Sequence, residues 1–159
     1  NTATGLITGT IDFEAAADSP HLVTITVTDE TGAIQVRRVA TGFDQPLFLT
    51  GLTDGSGRVY VVEKGGDILI LDPETGSTES EPFLQVGAEI STVSEGGLVG
   101  LALAPDFATS GVFYVNLTNA ASDTEVRRYQ TMTGDPDRAD VTTADVIMTF
   151  DQPAANIAS

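Results

Sequence analysis

Two stretches of the chain decide its fold. Residues 39–72 read VATGFDQPLFLTGLTDGSGRVYVVEKGGDILILD, and residues 95–118 read EGGLVGLALAPDFATSGVFYVNLT. In both, short runs of apolar and β-branched residues are separated by turn sequences such as Asp54-Gly55 and Gly65-Gly66. β-Branched and aromatic residues favour strands, and Gly-Gly between two such runs favours a two-residue hairpin. The pattern predicts an all-β chain of antiparallel strands.

From Ile34 onward, the same alternation predicts a series of short strands. A loop is expected around Pro136, and residues 104–109 are expected to form at most one helical turn. The strands amount to about two to two and a half four-stranded antiparallel sheets, whose open edges would invite a partner. The expected strands are 34–41, 46–52, 58–63, 67–72, 82–86, 97–104, 111–118, 124–130 and 144–150.

Residues 1–35 differ from the remainder in charge. They contain five acidic residues and neither Lys nor Arg. Residues 21–29 alternate between apolar and polar side chains with a period of two, which indicates a half-buried strand. The phrase from Phe13 to Thr28 resembles the last strands of cadherin-like or immunoglobulin-like repeats. We therefore expect a division into residues 1–35, the end of such a sandwich, and residues 36–159, with the first part forming a hairpin or arm.

The charge of the chain excludes several classes of partner. Twenty-three acidic residues against seven basic ones give a net charge of −16, and Lys64 is the only lysine. Such a charge repels nucleic acid and anionic membrane surfaces. No apolar run reaches the ~18 residues of a membrane span, so no membrane insertion is expected. Acidity and the absence of cysteine suit a secreted, periplasmic or cell-surface bacterial protein, with a marine or halophilic source as one possibility.

Several phrases resemble a known family. These are Phe43-Asp44-Gln45-Pro46, the segment Asp54–Arg58, the glycine-rich segment Gly96–Ala102, and Pro105-Asp106-Phe107. Together they resemble the first blades of the soluble quinoprotein glucose/sorbosone dehydrogenases, over roughly residues 36–156. The resemblance implies a partial β-propeller, from a family of six-bladed propellers that use pyrroloquinoline quinone (PQQ) and Ca²⁺ to oxidise sugars.

The same resemblance implies particular site residues. Family members present a polar residue toward the quinone before a Gly-Gly pair, which here implies Glu95, Gly96 and Gly97 as cofactor-binding residues. Their catalytic histidine follows a Gln-Pro-x-x-Asn phrase. Here that phrase runs from Gln152 to Asn156, and the next residue is Ile157. Isoleucine accepts no proton, so we expect no dehydrogenase activity by this mechanism in the chain itself.

Two other sets of residues carry weaker hypotheses. Asp135, Asp137 and Asp140 form a carboxylate cluster that could bind Ca²⁺ through oxygen ligands, although a solvated acidic loop is the better interpretation. His21 is the only histidine, which excludes a multi-histidine metal centre in one chain. No Gly-x-Ser-x-Gly phrase accompanies it, so a hydrolytic triad is not indicated.

Three functions remain open from the sequence. The first is a propeller fragment that acts as a self-associating or binding β-module, with a homo-oligomer as the expected state and a sugar as a possible ligand. The second is an oxidoreductase or hydrolase with a site at an oligomer interface. The third is a calcium-dependent adhesive or surface segment.

Overall fold

The computed structural model describes residues 21–28, 34–52 and 54–152, which form three antiparallel sheets. A hairpin pairs β1 (His21–Thr28) with β2 (Ile34–Phe43). The first large sheet has the order β3-β4-β5-β6, with β7 also pairing β5, and the second has the order β8-β9-β10-β11. The remaining strands are β3 (Pro46–Gly51), β4 (Val59–Glu63), β5 (Asp67–Asp72), β6 (Ser77–Thr78), β7 (Leu84–Gln85), β8 (Leu98–Leu103), β9 (Val112–Thr118), β10 (Thr124–Met132) and β11 (Asp135–Phe150).

This arrangement confirms the predicted all-β fold of about two antiparallel blades preceded by a hairpin. The boundary expected between residues 35 and 36 falls inside β2, and the division into two domains stays a prediction. Helical structure in the described residues is limited to a 3₁₀ turn at Gly87–Glu89 and the single turn α1 (Phe107–Ser110). No helix in the described part of the chain is long and apolar enough to cross a membrane.

Side-chain alternation assigns each face of the first sheet to a different core. On β4, Tyr60 and Val62 face the second sheet, whereas Val61 belongs to a smaller cluster with Phe43 and Ala40. Because successive side chains of a strand point to opposite faces, one strand serves both cores. The first sheet is therefore packed on both sides, with the end of β2 covering the face turned away from the second sheet.

A row of aromatic rings fills the main core between the two large sheets. The ring centroids of Tyr60 and Phe83 are 4.6 Å apart, and those of Phe83 and Phe113 are 4.9 Å apart. Phe113 stacks on Tyr129 at 5.6 Å. All four side chains are at most 2% exposed. Pairs at these separations add roughly 0.5–1.5 kcal/mol each beyond their buried area, so this row is the main apolar link between the sheets.

The strands place the connecting segments at two ends of the sheets, which we call the upper and the lower end. The upper end carries the turn 64–66, the connector 86–97, the corner 119–123 and residues 151–152. The lower end carries residues 52–58, 73–76, 104–111 and 133–134.

A cluster of ion pairs joins the two sheets at the lower end. Arg58 donates two hydrogen bonds to the Asp137 carboxylate, at 2.7 and 2.9 Å, across 79 positions of the sequence. Its guanidinium also lies 3.3 Å from Asp54 and 3.4 Å from Glu79. We call these four residues the lower clamp. Bidentate contact between a guanidinium and a carboxylate fixes geometry as well as charge, so the clamp sets how β11 meets the first sheet.

The last strand differs most from expectation. A loop at Pro136 and a strand over 144–150 were predicted, but a single strand runs from 135 to 150. The turn lies earlier, at Thr133-Gly134, where Gly134 has a φ of +86°. Pro136 is accommodated because β11 is an edge strand, where proline need not donate to a ladder.

The register of β11 is irregular. Arg128 pairs with Asp145 and Gln130 with Asp140, so residues 141–144 stand opposite Tyr129 alone. The Thr143 hydroxyl accepts a hydrogen bond from Gln130 N at 2.9 Å and donates to Asp140 O at 2.6 Å. These bonds replace ladder contacts across the irregularity.

Apolar side chains are exposed where the described sheets end. On β3, Leu47, Phe48 and Leu49 are exposed, and on β11 Val146 and Phe150 are about half exposed. Isolated exposed apolar residues are ordinary, but consecutive ones on an edge mark a surface suited to further packing. These residues lie on β3 and β11, the outermost strands of the two large sheets.

Candidate functional site

The candidate site lies at the upper end, on the connector between the two large sheets. After β7, residues 86–97 cross to the start of β8, and residues 91–97 form a loop. Ser91 N donates to Thr118 O at 2.9 Å, and Thr118 N donates to Gly97 O at 2.9 Å. Both ends of loop 91–97 are thus bonded to the end of β9, which fixes its position over the second sheet.

Gly96 and Gly97 are buried, and the space beside them is filled by the protein itself. A Cβ on Gly96 would lie 2.7 Å from Ser91 O and 2.9 Å from Val93 O. Gly97 has a φ of +147°, and a Cβ there would lie 2.7 Å from both Cγ and O of Lys64. The family resemblance implied these glycines as cofactor-binding residues. In the structure they let loop 91–97 fold against its own carbonyls and against Lys64.

Glu95 occupies the exposed part of the same loop. Its side chain is solvent-accessible, while the two glycines after it are buried. The residue before it, Ser94, has a φ of +54°, a left-handed conformation that costs a non-glycine residue roughly 1–2 kcal/mol. The loop thus presents a carboxylate to solvent from a backbone held in an uncommon conformation. Of the residues predicted to bind a cofactor, only Glu95 has a side chain available to a ligand.

Lys64 holds this loop from below. Its ammonium donates to Ser94 O at 2.7 Å. Its own N–H donates to Gln45 O at 3.0 Å, and its carbonyl accepts from Leu98 N at 3.1 Å. Gln45 has a φ of +49°, so two left-handed, non-glycine residues adjoin the single lysine of the chain.

A buried network anchors the other half of the connector, and we call it the upper network. Arg127 Nε lies 2.7 Å from Glu125 Oε2, and its Nη1 lies 2.5 Å from Glu89 Oε2. Asn119 Nδ2 donates to Glu125 Oε1 at 2.7 Å. Burial by itself would lower the pKa of Arg127, but the neighbouring Tyr129 phenol and the two carboxylates more than offset it, so the pKa is raised.

The buried pair formed by Arg127 and Glu125 was not predicted from the sequence. Period-two alternation along β10 places Glu125 and Arg127 on the same face as Tyr129, which is the signal that could have located them. All three are below 9% exposed. Their burial shows that this ion pair is largely shielded from water.

Glu63 is a second buried acid near the upper end, at 9% exposure. Burial raises the pKa of its carboxyl, and the nearby charges of Asp67 and Asp44 raise it further, whereas a hydrogen bond from Asp44 N opposes the rise. That bond joins Asp44 N to Glu63 Oε1 at 2.7 Å. The carboxylate therefore holds residues 44–45, which in turn bond to Lys64.

The start of the Gln-Pro-x-x-Asn phrase also lies at the upper end. Gln152 N donates to Asp123 Oδ1 at 3.1 Å, and its side-chain amide donates to Thr124 Oγ1 at 3.1 Å. The position corresponding to the family's catalytic histidine, Ile157, lies outside the described residues. Gln152 and loop 91–97 thus lie at the same end of the second sheet.

The three aspartates proposed as calcium ligands are not brought together as a metal site. Asp137 is occupied by Arg58 at the lower clamp, and Asp135 Oδ1 accepts from Asp137 N at 3.2 Å. Asp140 Oδ1 accepts from the N–H and hydroxyl of Thr142. Among the residues described, no group of three or more His, Cys, Asp or Glu side chains is placed to hold a metal ion. On a strand, these carboxylates are spread along an edge rather than gathered by a loop.

A cleft lies at the lower end, away from Glu95. It has a volume of about 520 Å³ and is lined by the segments 107–111 and 130–134 together with Tyr60 and Asp137. Burial raises the pKa of the Tyr60 phenol, and its hydroxyl has no hydrogen-bond partner among the described residues. Tyr60 is thus one of the residues that line the cleft, and its hydroxyl is buried.

Comparison with known proteins places the chain in a family. The sequence profile of the family described as Glucose / Sorbosone dehydrogenase matches residues 43–157. Among curated proteins, the Hedgehog-interacting proteins of Mus musculus and Homo sapiens are 34% and 33% identical to this chain over 87 residues. That match covers 52% of this chain and 12% of each relative.

Solved structures show the same relationship. The PQQ-bound form of an aldose sugar dehydrogenase from Streptomyces coelicolor superposes with a TM-score of 0.62 and 26% identity, over 83% of this chain and 36% of that one. A putative oxidoreductase (glucose dehydrogenase) from Thermus thermophilus gives a TM-score of 0.61 over 78% of this chain and 35% of that one. At 23% identity this second likeness concerns the fold alone. The chain spans about a third of these structures and about an eighth of the curated relatives.

Proposed function

The chain belongs to the glucose/sorbosone dehydrogenase family, and we propose that it forms two blades of a PQQ-dependent sugar dehydrogenase propeller. In this proposal loop 91–97 is one wall of the site for quinone and sugar, and Glu95 is its ligand-facing residue. The observation that carries the proposal is the placement of Glu95. It is an exposed carboxylate that directly precedes two buried glycines, on a loop whose backbone is bonded to Thr118 of the second sheet and to Lys64 at the end of β4.

The described residues fit one side of a quinone site and not the whole of it. PQQ is a planar anion with several carboxylates, which need cationic groups. At the upper end Lys64 is committed to Ser94 O, and Arg127 to two carboxylates. Glu95, Asp44 and Asp123 add negative charge there. Cations for the quinone must therefore come from outside the described residues, and so must the oxygen ligands of a calcium ion.

When bound, the quinone would supply the hydride acceptor for sugar oxidation. What this chain supplies is binding and orientation. An exposed carboxylate accepts hydrogen bonds from sugar hydroxyls, and bonds to a charged group contribute about 1.5–3 kcal/mol. Ile157 cannot take a proton from the sugar. We therefore propose that the 159-residue chain does not oxidise sugars by this mechanism on its own.

The test uses the full-length protein that contains this chain, supplied with PQQ and Ca²⁺, and follows dye-linked oxidation of aldoses. We expect Glu95→Ala to lower kcat/KM about 30-fold, since losing a bond of about 2 kcal/mol corresponds to this factor. Glu95→Gln, which keeps one acceptor, should lose less. Glu74→Ala is the matched control because Glu74 is an exposed acid in the turn at the lower end. Equal rates for the Glu95 and Glu74 variants would contradict the proposal, as would an absence of PQQ-dependent turnover.

A second candidate function is a protein-binding module without catalysis. Two observations favour it: Ile157 stands where the family resemblance calls for histidine, and the curated relatives are named as Hedgehog-interacting proteins. The exposed apolar residues of β3 and β11 suit such a role, with a second copy of the chain as the first partner to consider. Light scattering at increasing concentration tests this: a monomer at all concentrations, together with PQQ-dependent turnover of the full-length protein, would reject it.

We also propose that the protein acts outside the cytoplasm. Its net charge of −16 keeps a protein soluble where salt screens self-repulsion, and it contains no cysteine for oxidation to alter. Fractionation of the source cells, followed by detection of the protein in cytoplasmic and extracytoplasmic fractions, tests this. Recovery in the cytoplasm alone would contradict the proposal.

A further inference from the structure

We infer that Lys64 is a positioning residue for Glu95: it holds loop 91–97 in the conformation that presents this carboxylate to a ligand. The inference rests on the proposed function and assigns a role to a residue outside the loop itself. It arises from the contacts of Lys64 alone, each of which ends on loop 91–97 or on the segments beside it.

The backbone of Lys64 leaves its side chain little choice of direction. Its N–H is bonded to Gln45 O and its carbonyl to Leu98 N, so both flanking peptide groups are fixed. Leu98 begins β8 directly after the loop. Lys64 is therefore joined to the second sheet through its own main chain before its side chain is considered.

The side chain then crosses the loop in two contacts. Its stem passes over Gly97, where a Cβ would come within 2.7 Å of Lys64 Cγ. Its ammonium ends on Ser94 O at 2.7 Å. Stem and charge thus touch the residues on either side of the pair Glu95-Gly96. Among the described residues, no other side chain forms a hydrogen bond with residues 94–97.

The contact on Ser94 lies at the loop residue with the least favourable backbone conformation. Ser94 is the loop residue with a left-handed φ and a side chain, a conformation that persists only when its surroundings hold it. The charged Lys64 ammonium that bonds to the Ser94 carbonyl stabilises this conformation. If it is lost, Ser94 is free to return to a common conformation, and the direction of Glu95 changes with it.

Three variants of the full-length protein separate charge from packing. Lys64→Met keeps the stem over Gly97 and removes the donor, whereas Lys64→Arg keeps a donor of similar reach. Arg38→Met is the charge control, because Arg38 is exposed on β2 and away from the loop. The readouts are amide hydrogen exchange of residues 91–98, binding of PQQ by absorbance titration, and the melting temperature.

We expect Lys64→Met to speed exchange in residues 91–98 about tenfold, to weaken PQQ binding several-fold and to leave the melting temperature within about 3 °C. Lys64→Arg should keep the exchange rate and PQQ binding close to those of the unaltered protein, and Arg38→Met should change neither of them. Unchanged exchange in Lys64→Met would overturn the inference, as would equal effects of Lys64→Met and Arg38→Met. If the unaltered protein binds no PQQ, the proposed function fails, while the exchange comparison still decides whether Lys64 holds the loop.

Discussion

The lower clamp and the upper network use the same chemistry, an arginine shared among acidic side chains, in different surroundings. In the lower clamp the side chains of Arg58 and Asp137 are 22% and 34% exposed. In the upper network those of Arg127 and Glu125 are 10% and 11% exposed. The lower clamp joins the two large sheets directly, whereas the upper network fixes the connector that carries the candidate site.

This difference in burial separates two kinds of stabilisation. Exposed ion pairs contribute little because water and salt compete with them. A buried pair is costly to break, because removing one partner leaves an uncompensated charge out of contact with water. We therefore expect the upper network to dominate when single residues are removed, although the lower clamp contains more ion pairs.

The largest effect is expected from Arg127→Met. Glu125 would stay buried without its cation, and breaking a buried pair in this way costs about 3 kcal/mol. Urea denaturation monitored by circular dichroism measures the change in the free energy of unfolding. The double variant Arg127→Met/Glu125→Gln should recover more than half of the loss. A loss below about 1 kcal/mol in the single variant would show that the network is not rigidly closed.

Arg58→Met should have a smaller effect, about 1 kcal/mol, because its partners are partly solvated. This loss should shrink in about 1 M NaCl, where screening acts over ~3 Å, while the loss in Arg127→Met should persist. Denaturation of both variants at low and high salt makes the comparison. Equal salt sensitivity of the two variants would contradict the distinction drawn between the two ends.

The smallest effect is expected from Glu63→Gln, and it depends on pH. Burial raises the pKa of Glu63 above its ordinary value of 4.5, so the folded state holds the proton more tightly than the unfolded chain. The free energy of unfolding is therefore highest below pH 4.5 and falls as the pH rises through the folded pKa. At neutral pH it is lowered by the full cost of ionising the buried carboxyl.

Glutamine still accepts the bond from Asp44 N but does not ionise. Glu63→Gln should gain less than about 1 kcal/mol near pH ~7 and nothing near pH ~3.5, where the carboxyl of the unaltered protein is protonated. Denaturation curves across this range measure the difference, with the exposed Glu74→Gln as control. A stability difference that does not vary with pH would show that Glu63 is solvated.

Much of the fold could be predicted from the sequence because local signals and tertiary structure agree. The apolar and β-branched residues of 58–63 and 67–72 predicted two strands, which are observed at 59–63 and 67–72. The predicted two-residue turn at Gly65-Gly66 is instead the three-residue turn 64–66, because Gly66 N bonds to Glu63 O and the space beside Gly66 is filled by Gly87. The expected strand 82–86 shortens to Leu84–Gln85, although Phe83 N still bonds to Ile68 O on β5 and Val86 N bonds to Gly66 O in the preceding turn.

The candidate site could be predicted less well, since it depends on contacts between distant residues. A resemblance to a family singled out Glu95, but no local pattern reports that Lys64 reaches Ser94 thirty positions away. The acidic spacing of Asp135, Asp137 and Asp140 suggested a metal loop. In the structure the three carboxylates are spread along a strand, and Asp137 pairs with Arg58. Neither feature can be predicted from the spacing of the acidic residues.

The irregular register of β11 has a consequence for the association of further strands with its outer edge. A straight incoming strand needs an uninterrupted row of amides and carbonyls, and residues 141–144, set against Tyr129 alone, interrupt that row midway. A second irregularity lies between Val146 and Met148, which pair with Arg127 and Val126 and leave Ile147 as an extra residue. Any copy that joins this rim must therefore do so over a short patch.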